Sequence, residues 1–245
     1  NGAAVLDLFA EAGVKATFFT LGWVAERHPG LIRRAAEAGH EIASHGWDHQ
    51  RVFKLGEDGF RADLRRAHAA IAEACGVEPA GYRAPSFSID ARTPRAHRVL
   101  AEEGYSYSSS VAPVAHDHYG WRDSPRFAHR PVPGRDLIEL PVTTVELGGR
   151  RMAAGGGGFF RLLPYRFSSW AIGRVNCADR RPAVFYFHPW EIDPDQPRVA
   201  GAPLKSRLRH YSRLSAMRPK LLRLLKSYAW GRTDQVVERE RERLS

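Results

Sequence analysis

A unit of helix, glycine and short strand recurs along the first 110 residues of this chain. Residues 3–12 have the apolar spacing of a helix, Gly13 ends it, and KATFFTL at 15–21 is β-branched and aromatic like a buried strand. Similar units follow, with strands predicted in EIASH, GYRAP and YSYSSSV. Alternation of helices and strands is typical of a parallel sheet or barrel, so we predict an α/β fold.

The later elements are less regular. We predict strands at 137–142 and 183–190, a helix at 164–178 between them, and a loop at the glycine run 155–158. The first predicted element is a helix that no strand precedes. We therefore expect that the chain lacks the first strand of its fold, together with the residues that the C-terminal end of that strand carries.

The excess positive charge lies in one part of the chain. The net charge is +10, and the segment from Lys205 to Arg232 has nine Lys or Arg residues and no Asp or Glu. An amphipathic basic helix there is a candidate contact for nucleic acid or an anionic membrane. Because no exposed aromatic residues are interleaved with the basic ones, we expect no nucleic-acid partner. Two cysteines predict no disulfide framework, and no apolar run reaches the roughly 18 residues of a transmembrane helix.

Histidines follow the predicted strand EIASH in the motif SHGWDH. His45 and His49 are four residues apart at the C-terminal end of that strand, where parallel α/β folds gather their active sites. Neutral imidazoles are good ligands for zinc, and a catalytic zinc site has three protein ligands and one exchangeable position. The pair therefore predicts part of a metal site, or else structural histidines of a surface loop.

Two further motifs end predicted strands with a functional side chain. Arg83 in GYRAPSFS can hold a carboxylate by paired hydrogen bonds, or form an ordinary strand-end salt bridge, and Pro85 constrains the turn after it. His188 in FYFHPWEID can act as a general acid or base, or be a hydrogen-bonded core histidine.

In order along the chain, six motifs carry a family resemblance: TFFTLGWVAERHP, GHEIASHGWDHQ, GYRAPSFSI, GGGFFRLLPY, YFHPWEIDPDQP and RHYSRL. Together they resemble the polysaccharide deacetylases of the NodB-homology type, in particular the branch associated with exosortase and exopolysaccharide gene clusters. The resemblance covers residues 3–232. It implies an irregular (β/α) barrel of the NodB-homology type, here lacking its first strand, with a C-terminal helical extension.

The resemblance also implies a reaction and roles for the motif residues. The reaction is hydrolysis of an N-acetyl, or sometimes O-acetyl, group on an acetylated polysaccharide or oligosaccharide. His45 and His49 would bind a divalent metal, with zinc as the expected ion. Arg83 would orient the catalytic base, and His188 would be the general acid.

Substrate contacts are expected at Trp47, Pro85, Phe87, Phe160 and Trp190, although packing is the alternative for at least half of the aromatic side chains. We predict a deacetylase barrel at 1–192 and a basic C-terminal extension at 193–245 that packs beside it.

The chain departs from the family pattern in its first motif. The family has two adjacent aspartates there, a base and a third metal ligand, and neither Asp7 nor Asp48 is suited to replace them. We therefore expect an N-terminally truncated chain that binds metal weakly and is catalytically impaired. Ser108 and Arg213 stand where the branch usually has aspartate and asparagine. The alternative is an inactive deacetylase domain that binds a carbohydrate or a partner, and the oligomeric state and the compartment, cytoplasm or bacterial envelope, stay open.

Overall fold

The computed structural model describes residues 1–115, 119–199, 201 and 203–245. Its α-helices are, in chain order, α1 (Gly2–Ala12), α2 (Gly22–Arg27), α3 (Pro29–Glu37), α4 (Val52–Cys75), α5 (Ala96–Glu102), α6 (Gly157–Leu162), α7 (Tyr165–Cys177), α8 (Leu204–Tyr211), α9 (Leu214–Ser227) and α10 (Thr233–Arg243). Its strands are β1 (Thr17–Thr20), β2 (Glu41–Ser44), β3 (Gly81–Tyr82), β4 (Tyr107–Ser108), β5 (Ile138–Glu139), β6 (Thr144–Leu147) and β7 (Arg150–Ala153). These elements fall into two compact units, each made of two chain segments: unit 1 is Asn1–Val14 with Val142–Trp230, and unit 2 is Lys15–Pro141 with Gly231–Ser245.

Unit 2 contains a parallel sheet of five strands in the order β1-β2-β3-β4-β5. The strands are paired in the order in which they occur, and helices connect the first four of them. The predicted parallel α/β arrangement and its short strands are therefore confirmed. Helix α4 is the longest of the connecting helices, and it has a kink at Gly56, where φ is 66°.

The core of unit 2 forms between α4, α5 and the sheet. Phe60 and Leu64 of α4, Tyr82 of β3 and Leu100 of α5 belong to one cluster of buried side chains. The apolar spacing on α4 is that of a helix with one buried face, which explains why a helix with charged residues on its other face packs against the sheet.

The N-terminal ends of the strands carry a buried polar cluster. Glu41 accepts hydrogen bonds from Thr17 Oγ1 at 2.5 Å and from Tyr107 Oη at 2.6 Å. Burial raises the pKa of the Glu41 carboxyl, while the hydrogen bonds from Thr17 and Tyr107 oppose that shift.

Helix α10 covers this cluster. The backbone N–H of Thr233 donates to Thr17 Oγ1 at 2.7 Å, and that of Asp234 donates to Glu41 Oε2 at 3.0 Å. These are first-turn amides that have no partner inside their own helix, and a carboxylate is stabilised near them. Val237 and Glu240 are buried, so one face of this charge-dense helix is covered.

Unit 1 combines α1, the antiparallel hairpin β6–β7 and helices α6 to α9. Val5, Leu8 and Phe9 of α1 are buried, and the Phe9 ring meets Phe187 edge-on at 6.0 Å. Gly13 ends α1 in the left-handed conformation, as predicted. Among the described residues no helix is both long enough and apolar enough to span a membrane.

Two predictions for unit 1 are wrong. Residues 183–190 form no regular strand, because Tyr186 makes only an isolated bridge with Gly156, and Val184 donates to the hydroxyl of Thr143 instead of to a backbone carbonyl. The glycine run is also not all loop, since α6 begins at Gly157.

Candidate active site

His45 directly continues β2. Its backbone N–H donates to Thr20 O at 2.8 Å, which extends the β1–β2 pairing by one residue. Its Nδ1 lies 2.6 Å from the carbonyl oxygen of Arg83. Because a carbonyl oxygen only accepts hydrogen bonds, Nδ1 carries the proton and Nε2 presents the lone pair. An imidazole held in this way has the arrangement that proteins use to orient a metal-binding histidine.

The loop after His45 turns sharply, so that His49 lies close to His45. Gly46 and His49 both have positive φ, 75° and 69°, and the two imidazole centroids lie 5.2 Å apart. Asp63 of α4 supports the turn by accepting the N–H of Trp47 at 3.1 Å. A Cβ on Gly46 would lie 2.7 Å from Asp63 Oδ2, so the close approach of the Asp63 carboxylate to the backbone at this position requires glycine. Burial raises the pKa of Asp63.

The two imidazoles fit two positions of a zinc site, as nitrogen ligands with one ring oriented by a carbonyl. Within the described part of the chain, no cluster of three or more His, Cys, Asp or Glu side chains is placed to hold a metal ion. The described residues therefore do not provide a full set of protein ligands. The assignment of His45 and His49 as ligands stays a prediction.

Arg83 follows β3 and is buried. Its Nε donates to Ser109 O at 2.9 Å, its Nη2 donates to Ser109 Oγ at 2.7 Å, and its guanidinium lies 4.1 Å from the ring centroid of Phe19. Arg83 thus joins the ends of β3 and β4 while its own carbonyl holds His45. The role predicted for it, orienting a base, stays a prediction.

A buried ion pair that sequence reasoning missed supports this end of β4. Glu139 of β5 accepts the backbone N–H groups of Ser110 and Val111, each at 2.9 Å, and pairs with His97 Nε2 at 2.9 Å. Burial alone would raise the pKa of Glu139, but the hydrogen bond and charge of His97 outweigh it and the pKa is lowered. Glu139 therefore anchors the loop whose Ser109 holds Arg83.

Three predicted substrate contacts lie in unit 2. Trp47 is half-buried, and the Arg66 guanidinium stacks on its ring at 3.5 Å. Pro85 and Phe87 are buried in the turn after Arg83, where Phe87 has a φ of 49°. The burial of Pro85 and Phe87 favours packing for them, the alternative that the sequence left open.

In unit 1, His188 is held by a buried carboxylate. The His188 side chain is 51% exposed, but its Nδ1 lies 3.1 Å from Glu191 Oε1, which also accepts the His188 backbone N–H at 3.0 Å. Burial would raise the pKa of Glu191, yet the hydrogen bonds from His188 and Arg161 lower it. The ionised carboxylate keeps a proton on Nδ1, so Nε2 is the atom that exchanges a proton.

Arg161 completes this arrangement from α6. Its Nε donates to Glu191 Oε2 at 2.8 Å, and the two side chains are 1% and 2% exposed. Gly157 allows the close approach, since a Cβ there would lie 2.6 Å from Glu191 Oε1. Sequence reasoning missed both charged residues, although HPWEI and GGFFRLLPY lie within the motifs that carry the family resemblance.

Trp190 belongs to a stack of rings. Its indole lies parallel to the His210 imidazole at 3.9 Å and to the His188 imidazole at 5.7 Å. Phe160, in contrast, is 1% exposed and packs edge-on against Phe185 at 5.0 Å. The position of Phe160 favours a packing role, while substrate contact by the half-exposed Trp190 stays a prediction.

The structure thus brings His45, His49 and Arg83 together in unit 2, and it groups His188 with Trp190 in unit 1. The residues that sequence reasoning missed are the buried charged partners of these groups. Arg161 and Glu191 had one signal, their position within a motif, whereas His97 and Glu139 lie outside the six motifs, and charged residues are ordinarily expected at the surface.

Family models match almost the whole chain. The polysaccharide deacetylase model matches residues 1–107, and a model described as a domain of unknown function (DUF3473) matches residues 109–238. Two curated relatives match shorter stretches of the chain. A peptidoglycan-N-acetylglucosamine deacetylase of Listeria monocytogenes is 36% identical over 35% of this chain, and a chitooligosaccharide deacetylase of Rhizobium leguminosarum is 37% identical over 29%. The matched region spans 18% of the first relative and 33% of the second.

Solved structures extend the likeness to the full chain. A Mycobacterium smegmatis protein assigned to the polysaccharide deacetylases has a TM-score of 0.64 and 27% identity, over 100% of this chain and 78% of that one. A family 4 carbohydrate esterase of Streptomyces lividans, at 16% identity and a TM-score of 0.51 over 91% of this chain and 80% of that one, has a similar fold. These likenesses confirm the predicted fold class. Residues 1–107 match the polysaccharide deacetylase family, and the chain belongs to the family of the DUF3473 domain, whose model matches residues 109–238.

Proposed function

We propose that this protein is a metal-dependent deacetylase that hydrolyses N-acetyl, or O-acetyl, groups on a polysaccharide, and that it acts in exopolysaccharide biosynthesis. Family membership supports the reaction class. The observation that carries the proposal is the pairing of His188 with Glu191, because it leaves a half-exposed imidazole with one nitrogen oriented by a buried carboxylate and the other available for proton transfer.

His188 has a defined part in the reaction. In deacetylation, the oxygen of a water molecule bonds to the acetyl carbon, the bond from that carbon to the sugar nitrogen breaks, and acetate leaves. The departing nitrogen requires a proton to become an amine. His188 Nε2 donates it, while Nδ1–H stays hydrogen-bonded to Glu191 and stabilises the correct ring orientation.

His45 and His49 are proposed to hold the metal, zinc by ligand chemistry, through nitrogens of their imidazoles. A divalent ion bound there would lower the pKa of a water molecule and polarise the acetyl carbonyl. Arg83 keeps His45 in the tautomer that presents Nε2, through the carbonyl that accepts the Nδ1 proton. Trp47 and Trp190 are proposed to contact the sugar rings.

Acetate release from acetylated chitooligosaccharides tests this function. We expect purified protein with added zinc to release acetate, and His188→Gln to lower kcat by about 10²- to 10⁴-fold, the usual contribution of a general acid. His28→Gln, at an exposed position on the N-terminal side of α3, is the matched control and should keep wild-type kcat.

Two results would overturn the proposal. One is wild-type protein that releases no acetate from chitooligosaccharide, peptidoglycan or acetylated exopolysaccharide at any zinc concentration. The other is a His188→Gln variant with wild-type kcat. Oligosaccharide binding without acetate release would support a carbohydrate-binding domain in place of the enzyme.

A further inference from the structure

Arg161 links the carboxylate behind His188 to a distant part of the chain. Its Nε donates to Glu191 Oε2 at 2.8 Å, and its Nη1 donates to the backbone carbonyls of His210 at 3.1 Å and Ser212 at 2.7 Å. These carbonyls lie at the C-terminal end of α8, where a cation is stabilised by the partial negative charge of the helix terminus. The Arg161 guanidinium is thus held by Glu191 on one side and by the two backbone carbonyls on the other.

A second link runs through aromatic rings. The His210 imidazole stacks on Trp190 at 3.9 Å with an interplanar angle of 17°, and Trp190 lies parallel to the His188 imidazole at 5.7 Å. Gln196 orients the His210 ring, because its Nε2 donates to Trp190 O at 3.0 Å, which leaves its Oε1 to accept from His210 Nε2 at 2.8 Å.

We propose that Arg161 and His210 are positioning residues for His188, Arg161 through the Glu191 carboxylate and His210 through the Trp190 ring. This inference rests on the proposed deacetylation, in which His188 donates the proton to the leaving nitrogen. It gives the DUF3473 region a direct part in the proton-transfer step, since all five residues lie within 109–238.

The chemistry of the two contacts explains how they act. A carboxylate as buried as Glu191 stays ionised only when it is paired, and Arg161 is its buried cation. An ionised Glu191 holds the Nδ1 proton and stabilises the imidazolium form of His188. Within unit 1, the groups that face His188 are Glu191, the Tyr186 ring edge at 6.2 Å and, across Trp190, His210. Burial, then the charge of Arg161, lowers the pKa of His210.

Two pairs of variants test the inference. Arg161→Met removes both sets of hydrogen bonds, and Arg161→Lys keeps the charge without the planar fork. His210→Ala removes the stacked ring, and His210→Phe restores a ring without the nitrogen atoms. Arg166→Met, at an exposed arginine on α7, is the control for loss of an arginine in unit 1. Thermal unfolding establishes which variants are folded, and if Arg161→Met does not fold, Arg161→Lys and the His210 pair decide.

The readouts separate positioning from general loss of structure. In Arg161→Met and His210→Ala we expect kcat to fall about tenfold or more with KM changed less than twofold, since only proton transfer is affected. The pH–rate limb of the general acid should move to lower pH in Arg161→Met, and Arg161→Lys and His210→Phe should recover part of the lost rate. Nitrogen NMR of ¹⁵N-histidine-labelled protein should show His188 protonated on Nδ1 in wild type and a mixture of tautomers in Arg161→Met.

The NMR measurement needs no substrate, so the inference and the proposed function can fail separately. Wild-type protein without activity but with the expected Nδ1 signal, lost in Arg161→Met, would refute the deacetylase and leave the positioning contacts supported. Active wild-type protein whose folded Arg161 and His210 variants keep kcat, pH profile and ¹⁵N shifts would overturn the inference alone.

Discussion

The Nδ1 atom of His188 and the Oε1 atom of Glu191 lie 3.1 Å apart, and the same oxygen accepts the His188 backbone N–H at 3.0 Å. His188 is the N-cap of the 3₁₀ helix Pro189–Ile192, and Glu191 lies in its only turn. The orientation of the His188 side chain is therefore determined by a residue three positions later. One carboxylate oxygen therefore fixes the ring and the backbone of the proposed general acid together.

Replacing the Glu191 carboxylate should impair catalysis more than binding. We expect Glu191→Gln to lower kcat at least about tenfold, because the amide stabilises the imidazolium form of His188 less well. It should also destabilise the fold by about 3–5 kcal/mol, because Arg161 is left buried without its anion. Steady-state kinetics and urea unfolding measure the two effects, and Asp195→Asn, at an exposed position nearby, should change neither. An unchanged kcat in folded Glu191→Gln would contradict the assignment.

Two adjacent glycines at the start of α6 offer a matched comparison. A Cβ at Gly157 would lie 2.6 Å from Glu191 Oε1, whereas a Cβ at Gly158 would meet no atom within 4 Å. We expect Gly157→Ala to cost about 1–3 kcal/mol of unfolding free energy through overpacking and to lower kcat by displacing Glu191. Gly158→Ala should be neutral or stabilising by about 0.5–1 kcal/mol, since alanine favours helix. Equal effects of the two substitutions would contradict this reading of the α6 start.

Zinc affinity should depend on both histidines of the SHGWDH motif. Isothermal titration is expected to show zinc binding to the wild-type chain that is lost in His45→Ala and in His49→Ala, and kept in His28→Ala. Because a catalytic zinc site has three protein ligands and only two are proposed here, we expect an affinity weaker than about micromolar. Submicromolar zinc binding would show that a further ligand is present, and binding unaffected by either alanine would refute the pair.

The half-buried Glu41 should make stability depend on pH. Burial raises its pKa above the ordinary 4.5, so the folded state binds this proton more tightly than the unfolded state. The contribution of Glu41 to stability is therefore fully present below pH 4.5 and is lost as pH rises through the folded pKa. Urea unfolding between pH 4 and 7 should show that Glu41→Gln gains stability relative to wild type as pH rises. The exposed Glu37→Gln control should keep the wild-type slope, and parallel curves for Glu41→Gln would refute the argument.

The backbone conformation at Arg213 favours the asparagine that the resemblance predicts at this position. Arg213 is in the left-handed region, with φ 55° and ψ 32°, directly before α9. Asparagine adopts this conformation more readily than arginine, so its use at this position in the related branch has a backbone cause. We expect Arg213→Asn to stabilise the protein by about 0.4–1 kcal/mol in urea unfolding. Arg166→Asn, within helix α7, should destabilise slightly, and a destabilised Arg213→Asn would refute the explanation.

Local patterns predicted much of the chain before residue 142. The helices end at Gly13 and Gly76 with positive φ, as the glycines indicate, and the strands follow the apolar runs, because these features depend on a few neighbouring residues. The SHGWDH motif was sufficient to predict that His45 and His49 lie close together. The strand predicted from the apolar run at 183–190 is wrong. Whether such a run forms a strand depends on its hydrogen-bonding partners, and here these are Gly156 and the Thr143 hydroxyl.

Long-range charge pairs could not be predicted in the same way. Arg161 and Glu191 are 30 residues apart, and His97 and Glu139 are 42 apart. Arginine and glutamate are ordinarily found at the surface, and Arg161, Glu191 and Glu139 are buried because the fold supplies hydrogen-bonding partners for them. The burial of one face of α10 has the same origin, since its first-turn amides find Thr17 and Glu41 more than 190 residues earlier.

The interleaving of the two units has a consequence for synthesis on the ribosome. Unit 2 consists of 15–141 and 231–245, so the strands β1 to β5 emerge while the amides that cover Glu41 have yet to be translated. The apolar face of helix α1 likewise stays uncovered until residues 142–230, the other segment of unit 1, have been translated. The nascent chain must therefore expose apolar and polar side chains that the folded units bury, until residues 142–245 have been translated.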